Sequence, residues 1–280
     1  MCVQSEMLNH LGSRYQNPSD PYEEEYSQKY SLIRDPKLIT QSGPLWTFDN
    51  YRAGILGEGL EEERSAVWTS ALVDLTKLKK VFWCLGQFRD SKVLKLGHLF
   101  SVASFGPGGV ITPSGETNTL AISYEAMRGK GVEYSLWSGI NGCYSTSFVL
   151  GSFKDMLQKA DLAYSQLEIM ELALSEEQIK KFLIYALNAA MDPQAPEIKP
   201  YHTVNNSCIT KQFDLLNHVL SPQKQIRSWF SISECRVMRT PVTFWPGLVK
   251  TTLEKGSLLR ETQSLPMPIN GPGTKASLIQ

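Results

Sequence analysis

The sequence predicts an α+β domain in which a central antiparallel sheet packs on helices. Three observations carry this reading. Short β-branched and aromatic runs of strand length crowd between residues 81 and 124, apolar stripes at helical spacing follow from residue 176, and turn chemistry separates the runs.

Residues 1–43 are polar, rich in Tyr, Ser, Pro and Glu, and lack sustained periodicity, so they read as an N-terminal arm. Glu61 to Leu78 is expected to be a helix, with Ala66, Val67, Ser70, Ala71, Asp74 and Leu75 near helical spacing behind a charged start. The period then changes. Val81–Leu85, Leu99–Phe105 and Thr119–Tyr124 read as strands, and Pro107-Gly108-Gly109 closes the second with a turn.

Gly139 to Tyr144 is a glycine-spaced loop, and Gln166 to Leu174 reads as a further strand. Ser175 and Gln178 form a capping box for a helix over 176–190, whose Ile179, Phe182, Leu183, Ala186 and Leu187 share a stripe. Asn206 and Ser207 then precede an amphipathic segment, placing Cys208 in the first turn of another helix with Leu215, Leu216 and Val219 packed inward. Residues 261–280, with Pro266, Pro268, Pro272, Gly271 and Gly273, read as a disordered tail. The expected catalytic domain is therefore 44–260.

Composition narrows the function classes. Twenty-eight Lys and Arg balance twenty-eight Asp and Glu, which disfavours a dedicated nucleic-acid binder. The five cysteines have no CxxC pair and no ligand-spaced cluster, so neither a metal nor another cofactor is expected, and the thiols read as free in a reducing compartment. The start lacks the basic and apolar regions of a secretory signal, and no run of apolar residues is long enough for a membrane span. The expected location is cytoplasmic, or secreted without a cleaved signal peptide.

Cys208 is the candidate nucleophile. At a helix start the unpaired N–H groups and the dipole favour the thiolate, the reactive form of cysteine. The segment alone also fits a buried, inert cysteine. Of the four histidines, His98 heads a candidate strand and is the candidate base; His10 lies in the arm, His202 on an approach loop, and His218 on another face of the helix. Asn118, Ser123 and Glu125 are candidates to orient His98, and the choice among them is open. The backbone N–H of Cys208, assisted by Asn206, is the candidate oxyanion donor. Tyr124, Asn141 and Tyr144 are candidates to line a substrate site.

Four segments in order, Leu96-Gly97-His98-Leu99-Phe100, Ile122-Ser123-Tyr124-Glu125-Ala126, Gly139-Ile140-Asn141-Gly142-Cys143-Tyr144 and Asn205-Asn206-Ser207-Cys208-Ile209-Thr210 with Leu215-Leu216, resemble the Lnb-type family over roughly residues 65–220. That family includes the periplasmic N-terminal domain of a lipoprotein intramolecular transacylase. The resemblance implies a circularly permuted papain-like (NlpC/P60-type) core, with His98 matching the family histidine and Cys208 the family cysteine. It also implies a thiol-dependent acyltransferase or hydrolase that forms an acyl-cysteine from an amide, ester or thioester of a lipid, peptide or protein. A catalytically silent interaction scaffold of the same fold is the competing reading.

Overall fold

The computed structural model describes residues 32–56, 65–88, 97–127, 134–191, 200–203, 206–226 and 247–267. Among them are the strands β1 (Lys37–Ser42), β2 (Leu45–Leu56), β3 (Ser65–Asp74), β4 (Leu78–Phe88), β5 (Gly97–Phe105), β6 (Val110–Thr112), β7 (Gly115–Thr117), β8 (Thr119–Met127), β9 (Ser145–Gly151), β10 (Tyr164–Leu172) and β11 (Leu259–Pro266). The helices are α1 (Leu136–Ile140), α2 (Phe153–Ala163), α3 (Glu176–Met191), α4 (Cys208–Asn217) and α5 (Gly247–Lys255). The α+β class is observed.

The strands form one sheet in the order β11-β10-β4-β5-β8-β9-β2-β3-β6-β7, with β1 also paired to β2. Its ladders are antiparallel except where β2 runs parallel to β9, through Tyr51↔Leu150 and Arg52↔Gly151. The sheet is therefore mixed. Its two faces carry separate cores. On one, α3 and α4 cover Trp83, Leu85, Leu99, Ile122 and Tyr124; on the other, Phe153, Met156, Leu157 and Ala160 of α2 cover Cys84, Phe100, Val102 and Ala121.

The helix expected over 61–78 is a correction. Ser65–Asp74 is β3, followed by a 3-10 turn at Leu75–Lys77 and the first residue of β4. Ala71, Val73 and Leu75 are buried at alternate positions, the period of a strand, and β2 and β6 flank the segment on its two edges. Tertiary pairing overrides the weak helical spacing there. β1 falls within the expected N-terminal arm, and β11 runs across the expected boundary at 260. Pro266 is accommodated because β11 is an edge strand, where a missing N–H breaks no ladder.

Two contacts fix the framework. Arg52 of β2 meets Asp155 in the first turn of α2 through Nε, 2.8 Å from Oδ2 and 3.0 Å from Oδ1, and its Nη1 donates to the Leu32 carbonyl at 2.6 Å. Both side chains are fully buried. Gly86 of β4 lies flat against the Tyr164 ring: a Cβ there would stand 2.2 Å from two ring carbons.

Replacing Arg52 by Met leaves Asp155 buried without its cation. The expected loss is about 3–5 kcal/mol of unfolding free energy, with a much smaller loss when Asp155→Leu is added. Urea denaturation of the single and double variants measures both, and equal losses would show that the pair is not the contact that matters.

Candidate active site

The site lies where two neighbouring strands part. The β5–β8 ladder ends at Phe100↔Ser123, yet each strand continues, β5 with β4 to Gln87↔Gly97 and β8 with β9 to Met127↔Ser145. His98 and Leu99 on one side and Tyr124 and Glu125 on the other thus border a fork in the sheet.

Helix α4 aims its first residue at this fork. Ser207 caps it by accepting from the Thr210 N–H, and the Thr210 hydroxyl accepts from the Ser207 N–H, a reciprocal capping box. One turn on, the buried Gln212 accepts from Ser101 Oγ and donates to the Ile122 carbonyl at 3.3 Å, fastening the helix to β5 and β8. Cys208, 2% exposed, is the first residue of the helix, where its own N–H has no intrahelical partner.

Around the sulfur the donors converge. His98 and the Leu99 N–H hydrogen-bond to Cys208, and the Tyr201 hydroxyl donates to it from the loop before α4. The Tyr201 backbone is pinned by its N–H to the Tyr144 carbonyl at 2.7 Å. On the far side of the imidazole, Nε2 donates to Ser123 Oγ at 2.7 Å and lies 3.4 Å from Glu125 Oε1, while Ser123 Oγ donates to the same carboxylate oxygen at 2.8 Å. This leaves Nδ1 for the sulfur. Lys159 of α2 closes the row, with Nζ 2.6 Å from Glu125 Oε1.

The electrostatics follow from burial opposed by paired charge. Burial alone would lower the His98 pKa, but the Glu125 carboxylate and the Cys208 sulfur outweigh it and lift it to about 9. Burial would raise Cys208; the His98 cation, its hydrogen bond and the Leu99 N–H bring it below the ordinary thiol value. Glu125 is likewise raised by burial and brought well below the carboxylate range by Lys159 and His98. Each partner thus favours the charged form of the other: the imidazolium stabilises a thiolate on Cys208, and the sulfur stabilises the imidazolium.

Of the three orienting candidates, Ser123 and Glu125 stand at His98. Asn118 does not: its carbonyl accepts from the Phe105 N–H, seven residues along β5 or about 23 Å from His98 in an extended strand. Asn206 holds the loop, accepting from the Tyr124 hydroxyl at 3.1 Å and donating to the Pro200 carbonyl at 3.2 Å. Tyr124 borders the fork, on the face opposite Glu125. Asn141 is exposed and caps α1 by donating to the Trp137 carbonyl, and Tyr144 is the backbone bridge partner of Tyr201. His202 is bridged to Asn206, and His218 stacks on Tyr185 at 3.5 Å. His10 lies outside the described residues. Lys159 carries no sequence signal, since it reaches the site through long-range packing, and Tyr201, seven residues before Cys208, sits on a loop without a pattern that would aim its hydroxyl.

Residues 65–249 match the family model of the Lnb N-terminal periplasmic domain. The chain belongs to this family. No curated protein and no solved structure matches it. The match overturns the expected location, cytoplasmic or secreted without a cleaved signal peptide, because the Lnb family domain is periplasmic. The thiols also need correcting: Cys84 and Cys208 are free, but Cys143 is disulfide-bonded, its partner lying outside the described residues. A disulfide suits an oxidising compartment such as the periplasm. Among the described residues no group of His, Cys, Asp and Glu is placed to hold a metal, and no helix is long and apolar enough to cross a membrane.

Iodoacetamide is expected to modify Cys208 well before Cys84, because burial pushes the Cys84 thiol far up with no cation to oppose it. Peptide mapping of the folded protein measures the order of labelling. Faster modification of Cys84 would contradict the opposite directions in which the two thiols are pushed.

Proposed function

We propose that this Lnb-family chain is a cysteine acyltransferase or hydrolase with a circularly permuted papain-like core, Cys208 as nucleophile and His98 as acid–base partner. The observation that carries the reading is the buried Cys208–His98 pair, completed by Ser123 and Glu125 on the other ring nitrogen. The order of the chain supports the permuted core: histidine comes early, on strand β5, and cysteine late, at the start of helix α4.

The Cys208 thiolate attacks the acyl carbon of an amide, ester or thioester and forms a C–S bond. The carbonyl oxygen takes the negative charge. The free Cys208 N–H at the helix start and the Tyr201 hydroxyl, already beside the sulfur, are the donors nearest to it. As the tetrahedral centre collapses, the bond to the leaving group breaks and the His98 imidazolium hands that group its proton. An amine, alcohol or water then loses a proton to the imidazole, attacks the acyl-cysteine, and releases the thiolate. Glu125 stabilises the imidazolium through both half-reactions. The chemistry needs no cofactor.

Family membership directs the search for substrate to acyl groups on periplasmic lipids, peptides and lipoproteins. The near-complete burial of Cys208 is the one observation that favours a catalytically silent scaffold.

Intact-mass detection of an acyl adduct on Cys208, after incubation with lipid, peptide and thioester donors, tests the proposal. Cys208→Ala and His98→Ala should each abolish turnover, and the double variant should lose little more. The wild-type rate should fall as the pH drops through the lowered thiol pKa, and fall again as His98 loses its proton near about 9. Folded protein that forms no Cys208 adduct with any donor class would favour the scaffold.

A further inference from the structure

The Cys208–His98 pair is one end of a longer row of ionisable groups that passes through the sheet. Cys208 comes from the face covered by α4; Glu125 and Lys159 belong to the opposite face, covered by α2. Starting at β2, the row runs Arg52, Asp155, Lys159, Glu125, His98, Cys208, and its signs alternate at every step. Asp155 and Lys159 are one helical turn apart on α2, so the ammonium lies beside two carboxylates, one of them already bound to Arg52.

Glu125 makes Lys159 more than a surface ion pair. Its side chain is 9% exposed, and a single oxygen, Oε1, faces the Lys159 ammonium at 2.6 Å, the Ser123 hydroxyl at 2.8 Å and His98 Nε2 at 3.4 Å. Of these partners the ammonium is the nearest. A buried carboxylate turns toward its closest cation, and here that cation fixes the oxygen on which the imidazole rests.

Resting on the Cys208–His98 reading above, we propose that Lys159 is a positioning residue for the reaction: from the far face of the sheet it anchors the Glu125 carboxylate, and through it the His98 ring, toward Cys208. The lysine touches neither sulfur nor substrate. It acts by geometry and by field, since it is the one cation of α2 that meets Glu125 among the described residues.

The sign of its effect is fixed. Removing a positive charge raises the pKa of every group nearby, so Glu125 and Cys208 both hold their protons to higher pH. Besides the members of the row, the charged and titratable groups around it are Tyr164 from β10, Tyr124 from β8, Lys211 and Asp214 from α4, and Tyr134 and Tyr201 from the loops. Burial pushes the tyrosines up, so they stay protonated. Asp155 is also pushed up by burial and moves in the same direction as Glu125 when the cation is lost.

The experiment is the pH dependence of Cys208 alkylation by iodoacetamide in the full chain, read by peptide mass, for wild type, Lys159→Gln, Lys159→Met, Lys159→Arg and His98→Ala. The expected result is an acid limb shifted upward by roughly half a pH unit or more in the Gln and Met variants, about threefold slower labelling on that limb, and a wild-type profile in Lys159→Arg. A melting temperature that falls while the limb stays in place would make Lys159 merely structural and overturn the proposal. So would failure of both neutral variants to fold. If the wild-type limb itself is unchanged in His98→Ala, the Cys208–His98 reading fails and takes the proposal with it; if that limb depends on His98 but not on Lys159, the proposal alone is lost.

Discussion

The fork between β5 and β8 is the constraint on which the site depends. In an unbroken sheet, His98 and Glu125 would face α2 while Cys208 faced the other way, with a continuous backbone ladder between them. Ending the ladder at Phe100↔Ser123 opens that wall. It also frees the Leu99 N–H, which would otherwise serve a strand partner, to meet the sulfur. The outer ladders with β4 and β9 keep both prongs rigid, so the opening is held by two intact pairings.

Burial then supplies the chemistry. Desolvation opposes each charged form at Cys208, His98 and Glu125, and at each the neighbour in the row outweighs that penalty. A row of this kind is poor stabilisation compared with an apolar core of the same volume, and breaking it at one point leaves an uncompensated charge. The apolar clusters on both faces provide the stability that the row does not, and the capped start of α4, fastened by Gln212, carries the geometry.

Parts of this were legible from the residues. The strand runs at 81–85, 99–105 and 119–124 have strand length, β-branched content and turn punctuation, and they form the three strands β4, β5 and β8 that build the fork. Ser175 with Gln178 and Ser207 before Cys208 are local capping signals, and local signals survive folding. The helix expected over 61–78 failed because its spacing was equally open to a strand once β2 and β6 stood beside it. The choice among Asn118, Ser123 and Glu125 could not be made from the sequence, since strand register decides which residue of β8 stands opposite His98. Lys159 was beyond reach because packing, which no local pattern encodes, closes its separation of 34 residues from Glu125; Tyr201 stands seven residues before Cys208, but on a loop whose path is set by its pairing with Tyr144.

The burial of Cys208 and the oxidation state of its relatives bear on one another. Cys143 is bonded while Cys84 and Cys208 are free, so the fold sorts its thiols by environment in a domain whose family is periplasmic. A lowered thiol pKa ordinarily makes a cysteine prone to oxidation, and exposure makes that worse. Cys208 has the first property without the second. Its sulfur is enclosed by His98, the Leu99 N–H and Tyr201, which stabilise the anion and also limit approach to it. The loop that carries Tyr201 is tied down by two backbone bridges, Tyr144↔Tyr201 and His202↔Asn206, so this enclosure is built into the fold. The groups that lower the thiol pKa are therefore the same groups that shield the sulfur, and in the proposed reaction a substrate must displace part of that shell.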